Sequence, residues 1–450
     1  MPAALLRAKA GAARAAGALS RLTGRGGTSI PGKVLLKLAP DAIARLSAEL
    51  RDGSAVISAT NGKTTTAAMV AQILEGRGAR LVHNRAGANM AGGIAATLLY
   101  ERGDQGLFEV DEFWLDQVVP QVRPRALLLA NLFRDQLDRY GELETIAARW
   151  EGVVATLDAT TLVLNADDPL VADLGRGRDD VVYFGVDDPA MATAEMQHAA
   201  DSKHCRRCGA PYVYDAIYLG HLGHYHCPTG DAARPTPRVV ATAVTLEGTR
   251  AARFTLHIGD ERAPVTLPLP GLYNVYNALG AAALAHALGA SLAEIVAGLA
   301  TVSPAFGRAE TVTISGHELA ILLVKNPAGA NEVLRTLTLE DEELDLLGVL
   351  NDRTADGHDV SWVWDADFEV LAGRLRRVTC AGTRAAELAV RLKYAGVDPE
   401  RITVIPALEE ALDAAVAAAD GRLYALPTYT AMLELREVLT RRGSAKGSFA

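Results

Sequence analysis

The sequence predicts an α/β protein with mostly parallel sheets, and two features carry this prediction. From about residue 51 onward, short apolar runs alternate with helix-like runs, which is typical of a parallel sheet with helices on both faces. A polar loop, Thr60 to Thr66, joins the first apolar run to the first such helix. The length of 450 residues indicates two or three domains, and 49% apolar with 22% charged residues is ordinary for a globular enzyme.

Two α/β units are predicted along the chain. The first spans residues 51–308, with strands at 55–58, 107–110, 126–130, 161–164, 181–184, 239–246 and 251–258 and helices at 65–75 and 275–288. A segment rich in Cys, His, Gly and Tyr, 195–236, interrupts it and is interpreted as an inserted ribbon. The second unit, 309–450, has predicted strands at 319–324, 346–350, 377–381, 402–405 and 423–426, which indicates a Rossmann-like domain.

The first 50 residues form a basic leader region with helical character. Up to Pro40 the chain has no acidic residue, although its net charge is −9. Two interpretations stay open: a helix packed on the first α/β unit, and a helix lying on an anionic membrane surface. No apolar run approaches the roughly 20 residues that span a bilayer. We therefore expect a cytoplasmic protein, with peripheral contact at the inner membrane face as the open alternative, and no nucleic-acid binding.

The loop after the first strand predicts a nucleoside triphosphate site. Backbone N–H groups of a tight glycine-containing loop and the positive end of the next helix cradle phosphates, while a lysine reaches the outer phosphates and the next hydroxyl holds Mg²⁺. Lys63 and Thr64 occupy those two positions. The general G-x4-G-K pattern would need glycine at Ile57, so a shorter loop is implied. The predicted cradle consists of Thr60, Asn61, Gly62, Lys63, Thr64 and Thr65.

Polar residues after neighbouring strands are expected to share this site. Glu109 ends the strand at 107–110 and is the predicted second Mg²⁺ ligand, because Mg²⁺ prefers hard oxygen donors. The runs 131–140 and 165–169 also follow strands, on the edge where ligands lie in open α/β sheets.

The inserted ribbon carries a pattern of zinc ligands. Cys205 and Cys208 form a C-x2-C pair, and Cys227 stands alone where a second pair is expected. Zn²⁺ in a structural site takes four S or N ligands. Two outcomes stay open: either His224 or His226 completes a Cys3His site, or the ribbon holds no metal.

These motifs resemble the Mur ligase family of ATP-dependent amide-forming enzymes. The segments that carry the resemblance are 60–65, 165–169, 271–277 and 307–310. More narrowly, the segments 83–90, 131–142, 325–329 and 351–362 resemble the Mur-ligase-like subunits of lipid II isoglutaminyl synthase, and the likeness spans about residues 25–435. The resemblance implies a Mur-ligase-like central ATPase domain that carries the ribbon and precedes the Rossmann-like domain.

The resemblance also implies a reaction. An ATP-dependent carbon–nitrogen ligase would amidate the α-carboxylate of D-glutamate in the lipid II stem peptide to D-isoglutamine, through an acyl phosphate attacked by ammonia. Asn274 and Asn277 would lie near the nucleotide, and Arg308 would reach it from the domain boundary. Two departures from the family pattern are Ala59, where a glycine commonly precedes the loop threonine, and Gly230, near the position of a fourth cysteine.

Ammonia points to a second protein. Free ammonia is scarce at neutral pH, and a glutaminase that supplies it needs a cysteine nucleophile activated by histidine. Outside the ribbon the sequence has only Cys380, in a run typical of a buried strand. The resemblance implies a heterodimer with a class I glutamine amidotransferase subunit of the GatD type. It also implies that Asp359 orients the partner's histidine, with Asp356 as the alternative.

Two other functions are weighed against this one. An amino-acid-adding ligase related to Mur or folylpolyglutamate synthases is the alternative, but we find no separate N-terminal domain for a UDP-sugar, and Asn326 departs from those ligases. A scaffold or nucleic-acid module with a vestigial nucleotide site is disfavoured by the net charge of −9 and by the intact Lys63, Thr64 and Glu109.

Overall fold

The structure, a computed structural model, describes residues 3–22, 29–85, 88–135, 143–196, 200–303 and 308–445. Its strands are β1 (Ser54–Ser58), β2 (Leu81–His83), β3 (Gln105–Glu109), β4 (Ala126–Leu129), β5 (Thr161–Asn165), β6 (Val181–Val186), β7 (Val213–Leu219), β8 (Leu222–His226), β9 (Val239–Glu247), β10 (Ala251–Ile258), β11 (Glu261–Leu267), β12 (Arg308–Ile314), β13 (His317–Leu322), β14 (Leu344–Val349), β15 (Leu375–Ala381), β16 (Ile402–Val404) and β17 (Leu423–Pro427).

The helices alternate with these strands. They are α1 (Ala3–Leu22), α2 (Ile30–Leu38), α3 (Ala42–Ser47), α4 (Lys63–Gly76), α5 (Ala91–Tyr100), α6 (Leu115–Val122), α7 (Leu143–Val154), α8 (Pro169–Ala172), α9 (Leu272–Ala287), α10 (Leu292–Ala300), α11 (Pro327–Leu337), α12 (Ala385–Tyr394), α13 (Leu408–Ala418) and α14 (Tyr429–Arg441). The predicted α/β class is therefore confirmed.

The larger sheet has the strand order β11-β10-β9-β6-β5-β4-β1-β3-β2. Pairing is parallel from β2 through to β9, and β10 and β11 add an antiparallel edge. Helices cover both faces, which is why β1 and β3 are buried along their whole length. Because parallel strands end at the same edge, the loops after β1, β3, β4 and β5 lie side by side.

The second sheet has the order β12-β13-β17-β14-β15-β16. Only the β12–β13 pair is antiparallel among the strand pairs of this sheet. Its first strand begins at Arg308, directly at the predicted domain boundary. β7 and β8 form a separate two-stranded hairpin inside the inserted ribbon.

The basic leader packs on the first α/β unit. Helix α2 crosses α5 so closely that a Cβ on Gly32 would lie 1.7 Å from the Gly92 carbonyl oxygen. Ala13 of α1 and Leu35 of α2 are fully buried against Leu99 of α5. This is the first of the two arrangements that the sequence left open. None of the described helices is long and apolar enough to cross a membrane.

Candidate active site

The loop between β1 and α4 has the geometry of a phosphate cradle. Gly62 immediately precedes α4 with φ = 84°, and a Cβ there would lie 2.0 Å from Oδ1 of Asn277. Glycine is therefore required at this position. Ala59 is absent from the described residues with positive φ, so alanine adopts its conformation without strain. The shorter loop thus closes without the glycine that the family commonly has there.

Lys63 is held in a buried ion pair at the start of α4. Its Nζ donates to Oε2 of Glu112 at 2.7 Å and to the carbonyl oxygen of Ala59. Burial by itself lowers the pKa of Lys63, but Glu112, Asp111 and Glu109 outweigh it and raise that pKa above the ordinary lysine value. Lys63 is therefore a permanent cation at neutral pH, aimed into the site that the sequence predicted.

The pKa values of the two acids beside Lys63 are shifted in opposite directions. Burial raises the pKa of Glu112, but the Lys63 and Lys325 cations outweigh it, so the pKa of Glu112 lies below the usual range. Burial and the neighbouring Glu112 raise the pKa of Asp111. Sequence analysis missed Glu112 as a site residue, although the acidic run that follows β3 contained the signal.

Thr64 and Glu109 lie together, as the sequence predicted for a Mg²⁺ site. The Thr64 hydroxyl donates to Oε1 of Glu109 at 3.1 Å. Asn84 fixes Glu109 by two backbone hydrogen bonds, accepting from its N–H at 2.8 Å and donating to its carbonyl at 2.7 Å. Asn89 donates to the same carboxylate oxygen at 3.4 Å. Hydroxyl and carboxylate oxygens at this spacing suit a hard divalent cation.

The second domain reaches the phosphate loop directly. Asn61 and Asn326 exchange two amide hydrogen bonds of 3.2 and 3.0 Å across the domain boundary. Lys325 donates to the Thr60 carbonyl at 3.2 Å and also binds Asp135. The loop therefore closes against residues that are 265 positions away in the sequence.

Asn131 locks the loop from the side of β4. Its Oδ1 accepts from the Asn61 N–H, and its Nδ2 donates to the Asn61 carbonyl, both at 2.9 Å. The Phe133 N–H donates to the Thr60 hydroxyl at 3.1 Å. The rest of this polar run, from residue 136 to 142, lies outside the described residues.

Asn274 and Asn277 lie at the same site on α9. Asn277 donates to Oδ1 of Asn274 at 3.0 Å and accepts from the Thr66 hydroxyl at 3.3 Å, while Asn274 donates to the Pro270 carbonyl at 2.8 Å. Arg308 begins β12, but its side chain lies outside the described part of the chain.

Most of these residues line one cavity of about 510 Å³ between the two domains. Its polar part is the loop from Thr60 to Thr65 with Glu109, Asp111, Glu112, Asn131 and Lys325. Its apolar part includes Leu219, Leu222, Leu269, Tyr273, Ala328 and Val333. A phosphate cradle beside an apolar chamber of this size suits a nucleotide.

Comparison with known proteins identifies the family. Residues 57–225 match the family model described as Mur ligase middle domain, and residues 323–432 match MurT ligase C-terminal. Over 430 residues the chain is 34% identical to the lipid II isoglutaminyl synthase (glutamine-hydrolyzing) subunit MurT of Staphylococcus aureus (strain N315), covering 94% of this chain and 95% of that one. The chain belongs to the MurT family. This MurT-family chain is equally 34% identical to the corresponding subunit of Streptococcus pneumoniae (strain ATCC BAA-255 / R6), with 94% of each chain covered.

A solved structure supports the same fold. The pseudomurein peptide ligase type C from Methanothermus fervidus superposes with a TM-score of 0.69 at 25% identity, covering 88% of this chain and 80% of that one. The resemblance to Mur ligases inferred from the motifs is confirmed.

The two candidate aspartates of the MurT-type domain both lie in the loop after β14, but they differ in burial. Asp356 is buried and accepts from the Thr430 N–H at 2.7 Å and from the Thr430 hydroxyl, so it anchors the loop to α14. Asp359 is exposed and accepts from the Ser361 N–H at 2.8 Å. The hydrogen bond from Ser361 lowers the pKa of Asp359, so this carboxylate is ionised and faces solvent.

Cys380 is unsuited to act as a nucleophile. It lies buried in β15, and burial raises the pKa of its thiol to about 12. A thiolate is therefore negligible at neutral pH.

The three cysteines of the ribbon converge, but the histidines do not join them. The sulfurs of Cys205, Cys208 and Cys227 all lie within 4.8 Å of one another, and no His, Asp or Glu of the described residues completes that group. His224 Nε2 instead lies 3.0 Å from the Val186 carbonyl oxygen. Nδ1 of His226 lies 3.4 Å from the Asp215 carboxylate. In this structure neither of the two candidate histidines lies with the cluster, because each is turned toward another partner.

The hydroxyl of Thr229 contacts two of the three sulfurs. Its Oγ1 lies 3.1 Å from Sγ of Cys208 and 3.0 Å from Sγ of Cys227, and it donates to Asp231 at 2.7 Å. Three converging sulfurs remain a donor set that suits Zn²⁺.

Proposed function

We propose that this chain is the ATP-using subunit of a lipid II isoglutaminyl synthase, which amidates the α-carboxylate of D-glutamate in the stem peptide. Two findings support it together: membership of the MurT family, and a cavity in which Lys63, Thr64 and Glu109 meet. The enzyme class is a carbon–nitrogen ligase with glutamine as amide donor.

ATP would bind with its phosphates on the loop and its base in the apolar part of the cavity. The N–H groups at the start of α4 face the phosphates, and the Lys63 ammonium neutralises their charge. Thr64 and Glu109 would hold Mg²⁺, which supplies further charge neutralisation on the phosphates. An ammonium has three N–H donors, so Lys63 can contact a phosphate oxygen while it stays bonded to Glu112 and to the Ala59 carbonyl.

The amidation would proceed in two steps. A carboxylate oxygen attacks the γ-phosphorus of ATP, the bond to the bridging oxygen breaks, and ADP leaves with that electron pair. Ammonia then attacks the carbonyl carbon of the acyl phosphate, phosphate leaves, and the nitrogen loses a proton to give the amide. Activation is needed because a carboxylate is a poor electrophile until one oxygen becomes a leaving group.

Ammonia would come from a partner glutaminase of the GatD type, which contributes the cysteine and the histidine. Asp359 would orient that histidine, and its ionised, exposed carboxylate supports this role, whereas Asp356 is buried and bound to Thr430. Arg308 would approach the nucleotide from the domain boundary. The complex would act in the cytoplasm, at the face of the membrane that carries lipid II.

Zinc at Cys205, Cys208 and Cys227 would have a structural role. A metal there would link the segment before β7 to the segment after β8. It would lie on the ribbon rather than among the residues of the phosphate loop.

The decisive experiment is reconstitution with the partner subunit and lipid II. We expect Lys63→Ala to abolish ATP-dependent amidation with either glutamine or ammonium chloride as nitrogen source, because both routes need the acyl phosphate. Lys37→Ala, an exposed lysine on α2, is the matched control and should retain wild-type activity. Amidation by a folded Lys63→Ala variant at the wild-type rate would disprove the assignment of the site.

A further inference from the structure

The tip of the cysteine-rich hairpin forms part of the nucleotide cavity. Leu219 ends β7 and Leu222 begins β8, and both side chains line the cavity. They belong to the same hydrophobic cluster as Leu269, Tyr276 and Ala328. The ribbon therefore supplies a wall of the apolar chamber.

The hairpin tip is wedged into the domain rather than resting on its surface. His221 is fully buried, its ring centroid is 4.8 Å from that of Phe133, and its Nε2 lies 3.4 Å from the Asp168 carboxylate. The Gly223 N–H donates to the Asp167 carbonyl at 2.9 Å. Asp167 and Asp168, which the sequence placed at the ligand edge, thus anchor the hairpin.

Contacts run from the tip to the phosphate loop and to the second domain. Phe133, against which His221 packs, binds the Thr60 hydroxyl through its N–H. On the other side, Arg335 of α11 donates to the Tyr218 carbonyl at 2.7 Å. A displacement of the tip would therefore change the chamber and the elements on both sides of it.

The thiol cluster closes the opposite end of the same hairpin. Cys205 and Cys208 precede β7, and Cys227 directly follows β8, with its Sγ 3.4 Å from that of Cys208. The turns that carry them share a pattern, since the Cys205 N–H donates to Ala210 and the Cys227 N–H donates to Ala232. Joining the sulfurs fixes the two strands relative to each other, and hence the tip.

We propose that Leu219 and Leu222 contact the base of the nucleotide, and that the thiol cluster, when joined by a thiophilic metal such as Zn²⁺, holds them in place. Metal loading of the ribbon then sets the affinity for ATP without touching the phosphates. This inference rests on the proposed function, because it assumes that the cavity binds ATP.

Comparing the binding of two ligands tests whether the hairpin tip contacts the base. ATP uses the phosphate loop and the chamber, whereas inorganic tripolyphosphate uses the loop alone. Binding of each is measured by calorimetry in excess Mg²⁺ on the full-length protein. We expect Leu222→Ala to weaken ATP binding about tenfold, through lost apolar contact, and to change tripolyphosphate binding less than twofold. Val213→Ala, on the exposed side of β7, is the matched control and should change neither.

The cluster is tested in the same assay. Removal of the metal with a chelator should lower the affinity for ATP several-fold and leave the affinity for tripolyphosphate unchanged, and added Zn²⁺ should restore ATP binding. The substitution Cys227→Ser, which removes one ligand, should have the same effect on both affinities. Metal analysis accompanies each sample.

The outcomes separate two failures. If the wild-type protein binds neither ligand, the proposed function is wrong. If the wild-type protein binds both, and Leu222→Ala binds ATP as tightly as wild type or loses both ligands equally, the proposed contact between the hairpin tip and the base is refuted. If Cys227→Ser binds ATP as tightly as wild type, the proposal that the thiol cluster holds the hairpin tip in place is refuted.

Discussion

Replacing Glu112 by glutamine should destabilise the first domain strongly, because the buried Lys63 cation then loses its ion-pair partner. The side chains of Lys63 and Glu112 are only 9% and 5% exposed, and their ion pair is 2.7 Å long. Removing one partner of a buried pair costs about 3–5 kcal/mol. Lys63 keeps its bond to the Ala59 carbonyl and the nearby Asp111 and Glu109, so we take the lower end, about 3 kcal/mol.

Differential scanning calorimetry measures the effect. A loss of about 3 kcal/mol in a domain of this size corresponds to a fall of about 6–12 °C in the unfolding midpoint. Glu75→Gln is the matched control: its carboxylate pairs with Arg85 on the surface, where an ion pair contributes little, and the midpoint should move by about 1 °C at most.

The pH dependence gives a second readout with a defined sign. The pKa of Glu112 is lowered in the folded protein, so its contribution to stability is present above the ordinary glutamate pKa of about 4.3 and is lost as pH falls through the folded value. The pKa of Lys63 is raised, so its contribution is complete below about 10.4 and is lost only as pH rises through the folded value. The stability difference between wild type and Glu112→Gln should be present at neutral pH and shrink in acid, as Glu112 of the wild type is protonated.

A double variant tests the electrostatic origin of the effect. Lys63→Met with Glu112→Gln removes both buried charges, so it should be more stable than Glu112→Gln alone. If the single variant melts within 2 °C of wild type at pH 7, or the double variant is the less stable of the two, the reasoning is refuted.

Three further predictions concern the loop, the partner and the metal. Gly62→Ala should abolish ATP binding, since its Cβ would overlap a buried amide, whereas Gly78→Ala, with φ = 89° and open space around it, should leave binding intact; calorimetry decides, and equal loss in both would contradict the steric argument. Asp359→Asn should lose glutamine-dependent amidation in the complex and keep ammonium-dependent amidation, while Asp356→Asn should mainly lower the unfolding midpoint; a wild-type glutaminase rate for Asp359→Asn would remove it from the triad. His224→Ala should leave the zinc content of the purified protein unchanged, and a loss of zinc in that variant would show that the imidazole moves to the cluster.

Local patterns determined the phosphate loop and the fold class. The strand, the loop ending in Gly62 and the helix beginning at Lys63 are consecutive in the sequence, so their chemistry follows from spacing alone. Glu109 was found for the same reason, because it ends the strand that pairs with β1. The hydrophobic alternation likewise predicted the parallel strands of the second unit and the antiparallel strand β10, whereas β2, β11 and β12 were not predicted.

Tertiary structure alone decided what surrounds the loop. The pairing of Asn61 with Asn326 joins residues 265 positions apart, and no local pattern encodes such a contact. Ion pairing decided the role of Glu112, since an acidic run after a strand is equally typical of a solvated loop until a buried cation faces it. Side-chain direction likewise turns His224 and His226 toward other partners, which ligand spacing alone could not show. The sequence by itself predicted a triphosphate site; only the packing of a distant hairpin and a second domain against the loop decided the walls of the cavity, because burial and orientation depend on the whole chain.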